Sequence, residues 1–144
     1  MMNILLAKKE HLPLVATIEK EVFSEPWSEN ALELFLTEKA FCVCCFEEKL
    51  VSYCTLIMVL DEAQIVNVAT SKEFRSKGYA KSVLEAVLCE CRNRNIKFIS
   101  LEVRESNISA ISLYQSLGFT VEGNRKDFYK NPRENALVMI KNLD

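Results

Sequence analysis

Three positions in this chain combine residue type and setting in a way that suits chemistry: Gly78, Glu102 and Tyr114. Gly78 stands in Arg75-Ser76-Lys77-Gly78-Tyr79-Ala80 and is one of only three glycines in 144 residues. Between a strand and a helix, glycine lets the backbone take conformations closed to other residues. Successive N–H groups can then converge on an anion at the positive end of the helix. The string reads as a pyrophosphate cradle or as a simple turn, and by itself it does not separate the two. Other phosphate loops drop out, because neither G-x-G-x-x-G nor G-x-x-x-x-G-K-[ST] occurs.

Glu102 lies in Lys97–Val103, an apolar run with strand alternation. Ile99, Leu101 and Val103 share one face, so Glu102 points to the other. The C-terminal end of such a strand is where α/β folds gather ligands. In the segment that follows, Ala110, Leu113, Tyr114 and Leu117 recur on one helical side, which turns Tyr114 inward with a polar tip. The pair reads equally as a solvated strand residue and a core aromatic.

The six cysteines do not read as a metal or disulfide set. Cys42, Cys44 and Cys45 fall in one apolar run, Cys54 in another, and Cys89 and Cys91 in a helix. No C-x-x-C occurs, and His11, the single histidine, has no partner at ligand spacing. They are expected to be small buried hydrophobes, and no metal is expected.

The elements that must position these residues follow from periodicity. Asn3–Ala7 reads as an edge strand. A helix follows, with Pro13 in its first turn and Leu14, Val15, Ile18 and Val22 on one stripe. Pro26 and Trp27 end it, and Ser28 can cap a second helix carrying Leu32, Phe35 and Leu36. Strands are expected at Ala40–Phe46, Leu50–Val59 and Ala63–Ala69. The clearest helix is Tyr79–Asn93, where Ala80, Val83, Leu84, Val87, Leu88 and Cys91 form one amphipathic stripe. Then come the Lys97–Val103 strand, a helix at Asn107–Leu117 stopped by Gly118, and strands near Phe119–Phe128 and Glu134–Asn142. The order β-α-α-β-β-β-α-β-α-β-β specifies one α/β domain over residues 1–144, with a mixed central sheet flanked by helices.

A formal net charge of −2 gives no global signal for nucleic acid or an anionic membrane, and neither is expected as a partner. Hydrophobic residues make up 49%, yet no stretch approaches the ~20 unbroken apolar residues of a membrane span. Lys8 and Lys9 interrupt any signal-peptide core, so a cytoplasmic location is expected.

The residues above together resemble the GNAT superfamily of N-acetyltransferases over nearly the whole chain. Arg75 to Ala80 stands where that superfamily's Q/R-x-x-G-x-G/A motif belongs, with alanine in a last position more usually glycine. The string from Asn107 through Tyr114 to Gly118 and Phe119 stands where its second motif belongs. Within the superfamily the chain is similar to the bacterial ribosomal-protein-alanine N-acetyltransferases. That likeness runs through Pro26-Trp27-Ser28, Leu60 to Ala63, Asn67, Leu101 to Arg104, Ser106-Asn107 and Arg125 to Tyr129.

The resemblance implies acetyl-CoA as co-substrate and the N-terminal peptide of a ribosomal protein as acceptor. It implies that Val68, Ala69 and Thr70 bind the acetyl and pantetheine arm. Arg75, Ser76, Lys77, Gly78, Tyr79, Ala80 and Lys81 would hold the pyrophosphate, and Asn107 would contact the cofactor. Glu102 would accept a proton and Tyr114 donate one, while Trp27 and Tyr129 would flank the peptide. The same motifs fit a GNAT enzyme acting on a lysine side chain, polyamine, antibiotic or amino acid, or a non-catalytic acyl-CoA-binding domain.

Overall fold

Apolar runs that alternate or fill both faces make most of the strands, the polar and exposed run Thr120–Lys130 adds one at an edge, and all seven join one sheet. The computed structural model describes residues 1–143. Strand β1 spans Asn3–Leu6, β2 Ala40–Phe46, β3 Leu50–Val59, β4 Glu62–Thr70, β5 Phe98–Arg104, β6 Thr120–Lys130 and β7 Arg133–Asn142. Helix α1 runs Leu12–Val22, α2 Tyr79–Asn93 and α3 Ile108–Ser116. The sheet order is β1-β2-β3-β4-β5-β7-β6, antiparallel everywhere except between β4 and β5. The expected mixed sheet flanked by helices is therefore present.

The two faces bury separate cores. On one, Val83, Leu84, Val87, Leu88 and Cys91 of α2 and Tyr114 of α3 pack with Val43, Leu56, Ile99, Leu101 and Val103. On the other, Leu12, Val15 and Ile18 of α1 pack with Leu32, Phe35, Cys42, Cys44 and Tyr53. Truncating a sealed residue such as Leu84 to alanine would cost about 2–5 kcal/mol.

Several expectations need correction. The segment after Ser28 is a 3₁₀ helix, Ala31–Leu36, not an α-helix. Its N-cap is Asn30, not Ser28, although the Ser28 Oγ accepts from the Ala31 N–H at 3.1 Å. At six residues it is too short to make the i→i+4 ladder worthwhile, and Leu36 is left exposed. In α1 the buried stripe is Leu12, Val15, Ala16, Ile18 and Glu19, while Leu14 faces solvent. Cys89 is exposed although the other five cysteines are buried, because it sits on the outward side of α2.

Two irregularities shape the middle of the sheet. Opposite β3, the register moves from Thr55↔Asn67 to Leu56↔Ile65, so Val66 is an extra residue and β4 bulges. Ile65 and Val68 consequently pack on the α2 face, while Val66 and Asn67 both turn toward α1. Second, β4 and β5 pair only from Glu62↔Phe98 to Gln64↔Ser100 and then part, although β4 continues to Thr70 and β5 to Arg104. An interior strand directs alternate peptide groups to each neighbour. Past Gln64, the β5-directed groups of β4 thus lose their ladder partner and line a gap.

Candidate active site

Glu102 sits on β5 just past the last paired residue, on the face opposite Leu101 and Val103. Its carboxylate is held from both sides of the gap. Oε1 accepts from Gln64 Nε2 of β4 at 3.0 Å, and Oε2 forms a close ion pair with Arg125 of β6. Glu102 is 15% exposed and Arg125 58%, so the cation is the partner free to swing away. Ser100, Leu101 and Val138 complete the small depression around them.

Tyr114 is carried by α3 on the other face. Its ring packs edge-on against Phe119 at 5.8 Å and shares the α2-side core with Cys54, Leu101 and Val103. Burial, with smaller contributions from Cys54 and Tyr129, pushes its phenol well above the usual tyrosine value, so it stays protonated. Among the described residues its hydroxyl has no hydrogen-bond partner, and it is not sealed from solvent.

Tyr129, near the end of β6, lies close enough to both to couple with them. Burial raises its phenol, and the Glu102 charge raises it further. The Arg104 guanidinium covers its ring at 4.3 Å while donating to the carbonyls of Pro132 at 2.8 Å and Asn131 at 3.1 Å and pairing with Glu134 at 3.2 Å. Arg104 therefore fixes Tyr129 and the β6–β7 connection to the end of β5. Spacing alone gave no hint of that role.

Beyond the gap, β4 leads into the Gly78 loop. Ser76 (φ +64°) and Gly78 (φ +86°) both take left-handed conformations, and Gly78 caps α2. Among the described residues, no acceptor takes the backbone N–H groups from Ser76 to Lys81, and the first bond of the helix is Ser82 N–H to Gly78 O at 3.2 Å. A side chain at Gly78 would meet nothing within 4 Å, so the space above the loop is open. Consecutive unpaired amides at a helix N-terminus, with exposed Arg75, Lys77 and Lys81 alongside, fit a pyrophosphate. Two side chains of the motif turn elsewhere: Tyr79 donates to Glu47 at 2.6 Å and Arg75 Nε to the Thr70 carbonyl at 3.3 Å.

Of the other expected residues, Val68 packs on the α2-side core, Ala69 on the α1-side core, and the Thr70 hydroxyl lies 3.0 Å from that of Ser52. They border the gap through their backbone. Asn107 is the N-cap of α3, its Oδ1 accepting from the Ala110 N–H at 3.3 Å, so its side chain already has a structural task. Trp27 packs on Phe35 at 5.2 Å at the margin of the α1-side core. It is an anchor for its loop as much as a wall of any cleft.

The structure brings Tyr129 near both Glu102 and Tyr114, and places the Gly78 loop after β4. Trp27 lies on the α1 face, the one that also carries Glu102, with its backbone N–H bound to Glu19. Sequence reasoning missed Gln64, Arg104, Arg125 as the partner of Glu102, and the fully buried Glu19. Among the described residues no cluster of His, Cys, Asp and Glu could hold a metal ion, and no helix is long and apolar enough to cross a membrane.

Known proteins resemble this chain in sequence and fold. A protein of Salmonella typhimurium named [ribosomal protein bS18]-alanine N-acetyltransferase is 32% identical over 146 aligned positions, covering 96% of each chain. The crystal structure of the ribosomal-protein-S18-alanine N-acetyltransferase from Escherichia coli superposes with a TM-score of 0.92 at 30% identity, over 100% of this chain and 95% of that one. Arabidopsis thaliana NAA60 in complex with acetyl-CoA shares the fold, at TM-score 0.89 and 14% identity over 99% of each chain. Residues 12–119 match the acetyltransferase (GNAT) family. By motif, topology and relatedness, this chain belongs to the GNAT acetyltransferase family.

Proposed function

We propose that the chain transfers the acetyl group of acetyl-CoA to the N-terminal α-amine of a protein, the N-terminal alanine of the ribosomal protein for which its relatives are named. The observation that carries this reading is a paired carboxylate, Glu102, on one face of the sheet where β4 parts from β5, and on the other face Tyr114, whose phenol has no hydrogen-bond partner among the described residues. Such an acceptor puts the work in the cytoplasm.

The thioester supplies an activated acyl carbon, and the chain's own groups do the rest. The amides from Ser76 to Lys81 bind the pyrophosphate, with Arg75, Lys77 and Lys81 adding charge. Within Val68, Ala69 and Thr70, the backbone groups that point away from β3 orient the acyl arm and meet developing charge on its oxygen. Asn107, with its Oδ1 committed to the cap, offers only its Nδ2 group to the cofactor. Trp27 and Tyr129 flank the acceptor peptide.

Glu102 accepts the amine proton, directly or through a water. Its task with an α-amine is light, because such an amine has a pKa of roughly 7.7–8.0 against ~10.4 for lysine. Tyr114 holds its proton at neutral pH and gives it to the departing thiolate. The lone histidine accepts the Lys8 N–H at its Nδ1, and among the described residues it shares no hydrogen bond with a cysteine, so an acyl-cysteine route lacks its usual base. Transfer is therefore direct, within a ternary complex.

Mass spectrometry of peptides incubated with the protein and acetyl-CoA tests the proposal. An alanine-starting basic peptide gains one acetyl group on its N-terminal nitrogen, and its N-blocked counterpart gains none. Acetylation of the blocked peptide on lysine would overturn the α-amine reading.

A further inference from the structure

Glu19 has no exposed surface, although it sits in the core between α1 and the sheet. Its carboxylate receives three donors from three parts of the chain. Oε1 accepts from the Trp27 backbone N–H at 2.9 Å, and Oε2 from Asn67 Nδ2 at 2.9 Å and, closely, from the Tyr53 hydroxyl. Burying a carboxylate is costly, and well-packed apolar groups of similar size are often no less stable. Stability alone does not explain the residue. An apolar side chain would fill the same space but could not tie three backbones together.

What those donors belong to is informative. Trp27 stands in the loop between α1 and the 3₁₀ helix, on the face of the sheet that also carries Glu102. Asn67 is the residue that the β4 bulge turns toward α1, immediately before Val68, Ala69 and Thr70. Tyr53 anchors the assembly on β3, and burial followed by the Glu19 charge pushes its phenol far up, so it acts only as a donor. Two residues on, Glu21 accepts from the Ser71 hydroxyl at 3.1 Å, just past the end of β4. Helix α1 thus braces both ends of the stretch of β4 that borders the gap.

We infer that Glu19 is a positioning residue. It fixes the Trp27 segment and the Asn67 bulge at a set separation, so that an acceptor amine arriving on the α1 side meets Glu102 in line with the acyl arm. The inference rests on the acetyltransferase reading above and adds a determinant of acceptor binding that touches neither substrate.

Glu19→Gln keeps the volume but turns one acceptor oxygen into a donor, so one of the three partners faces an N–H. The experiment compares this variant with the wild-type chain in kinetics on the alanine-starting peptide, acetyl-CoA calorimetry, and acrylamide quenching of Trp27, the only tryptophan. The peptide KM should rise about tenfold or more while acetyl-CoA affinity stays within about twofold, since misplacement near 1 Å is enough for losses of this size. Trp27 should become more quenchable. Unchanged peptide kinetics and quenching would overturn the inference, as would equal losses of peptide and acetyl-CoA affinity. Asn67→Ala covers the case in which Glu19→Gln fails to fold. It frees the bulge but leaves the Trp27 and Tyr53 bonds, and it should lower kcat with acetyl-CoA affinity intact; an unaltered kcat would overturn the inference too. A wild-type chain inert on every N-terminal amine defeats the proposed function, whereas unchanged Trp27 quenching in Glu19→Gln defeats only the role of Glu19.

Discussion

Glu102 and Tyr114 stand on opposite faces of the sheet, at the opening where β4 parts from β5 after Gln64 and Ser100. A closed sheet would keep two such groups apart. In the proposed reaction Glu102 on one face accepts a proton and Tyr114 on the other donates one, which is what amine attack on a thioester requires.

Tyr114→Phe isolates the donor. The ring keeps its packing against Phe119, and no described partner loses a hydrogen bond. Stability should therefore move by no more than about 0.5 kcal/mol. The expected outcome is a fall in kcat of roughly 10²-fold or more with acetyl-CoA affinity retained, read by steady-state kinetics and calorimetry.

Glu102→Gln isolates the acceptor and carries a pH signature. The amide keeps one oxygen for Gln64 or Arg125 but takes up no proton, so kcat/KM should fall roughly 10²–10⁴-fold near neutrality. Above about pH 8 the α-amine is already neutral, and the deficit should narrow. A pH–rate profile of both enzymes checks this, and a deficit independent of pH would speak for a purely structural Glu102.

Gly78→Val tests the cradle. With φ at +86° and nothing within 4 Å of the new side chain, the variant meets backbone strain, not a clash. A β-branched residue in this region costs about 1–3 kcal/mol, enough to pull the loop out of its left-handed turn. Acetyl-CoA affinity measured by calorimetry should drop about tenfold or more while peptide binding is spared.

The thiols give a fourth test. Cys89 is the one exposed cysteine, and burial pushes Cys91 up to about 12 and Cys54 higher still. A thiol reagent near neutral pH should label one equivalent quickly and the rest only on unfolding. Both raised thiols keep their protons in the folded state after unfolded thiols, at ~8.5, have lost theirs. Their stabilising contribution is complete below that value and falls as pH rises toward about 12, so denaturant midpoints should decline across that window.

Much of the fold was legible because it rests on local pattern. The stripe of α2 and the runs of β2 and β3 gave bounds that the structure reproduces, and alternation alone placed Glu102 opposite Leu101. What escaped depends on tertiary context. A glutamate within an amphipathic helix reads as solvent-facing, yet Glu19 is sealed because the bulge brings Asn67 and the loop brings Trp27 to it. The bulge itself lies in Ala63–Ala69, a mostly apolar run in which no alternation marks the extra residue. Leu32 and Leu36, spaced i to i+4, suited an α-helix, but so short a segment settles into 3₁₀ geometry and leaves Leu36 outside.

A crystal structure of the protein with CoA and an alanine-starting peptide measures the central relationship directly. The CoA sulfur is expected in the gap between β4 and β5, within roughly 3–3.5 Å of the Tyr114 hydroxyl, with the peptide nitrogen on the Glu102 side. A sulfur bound away from that gap, or a Tyr114 hydroxyl turned from it, would contradict the assignment of both groups.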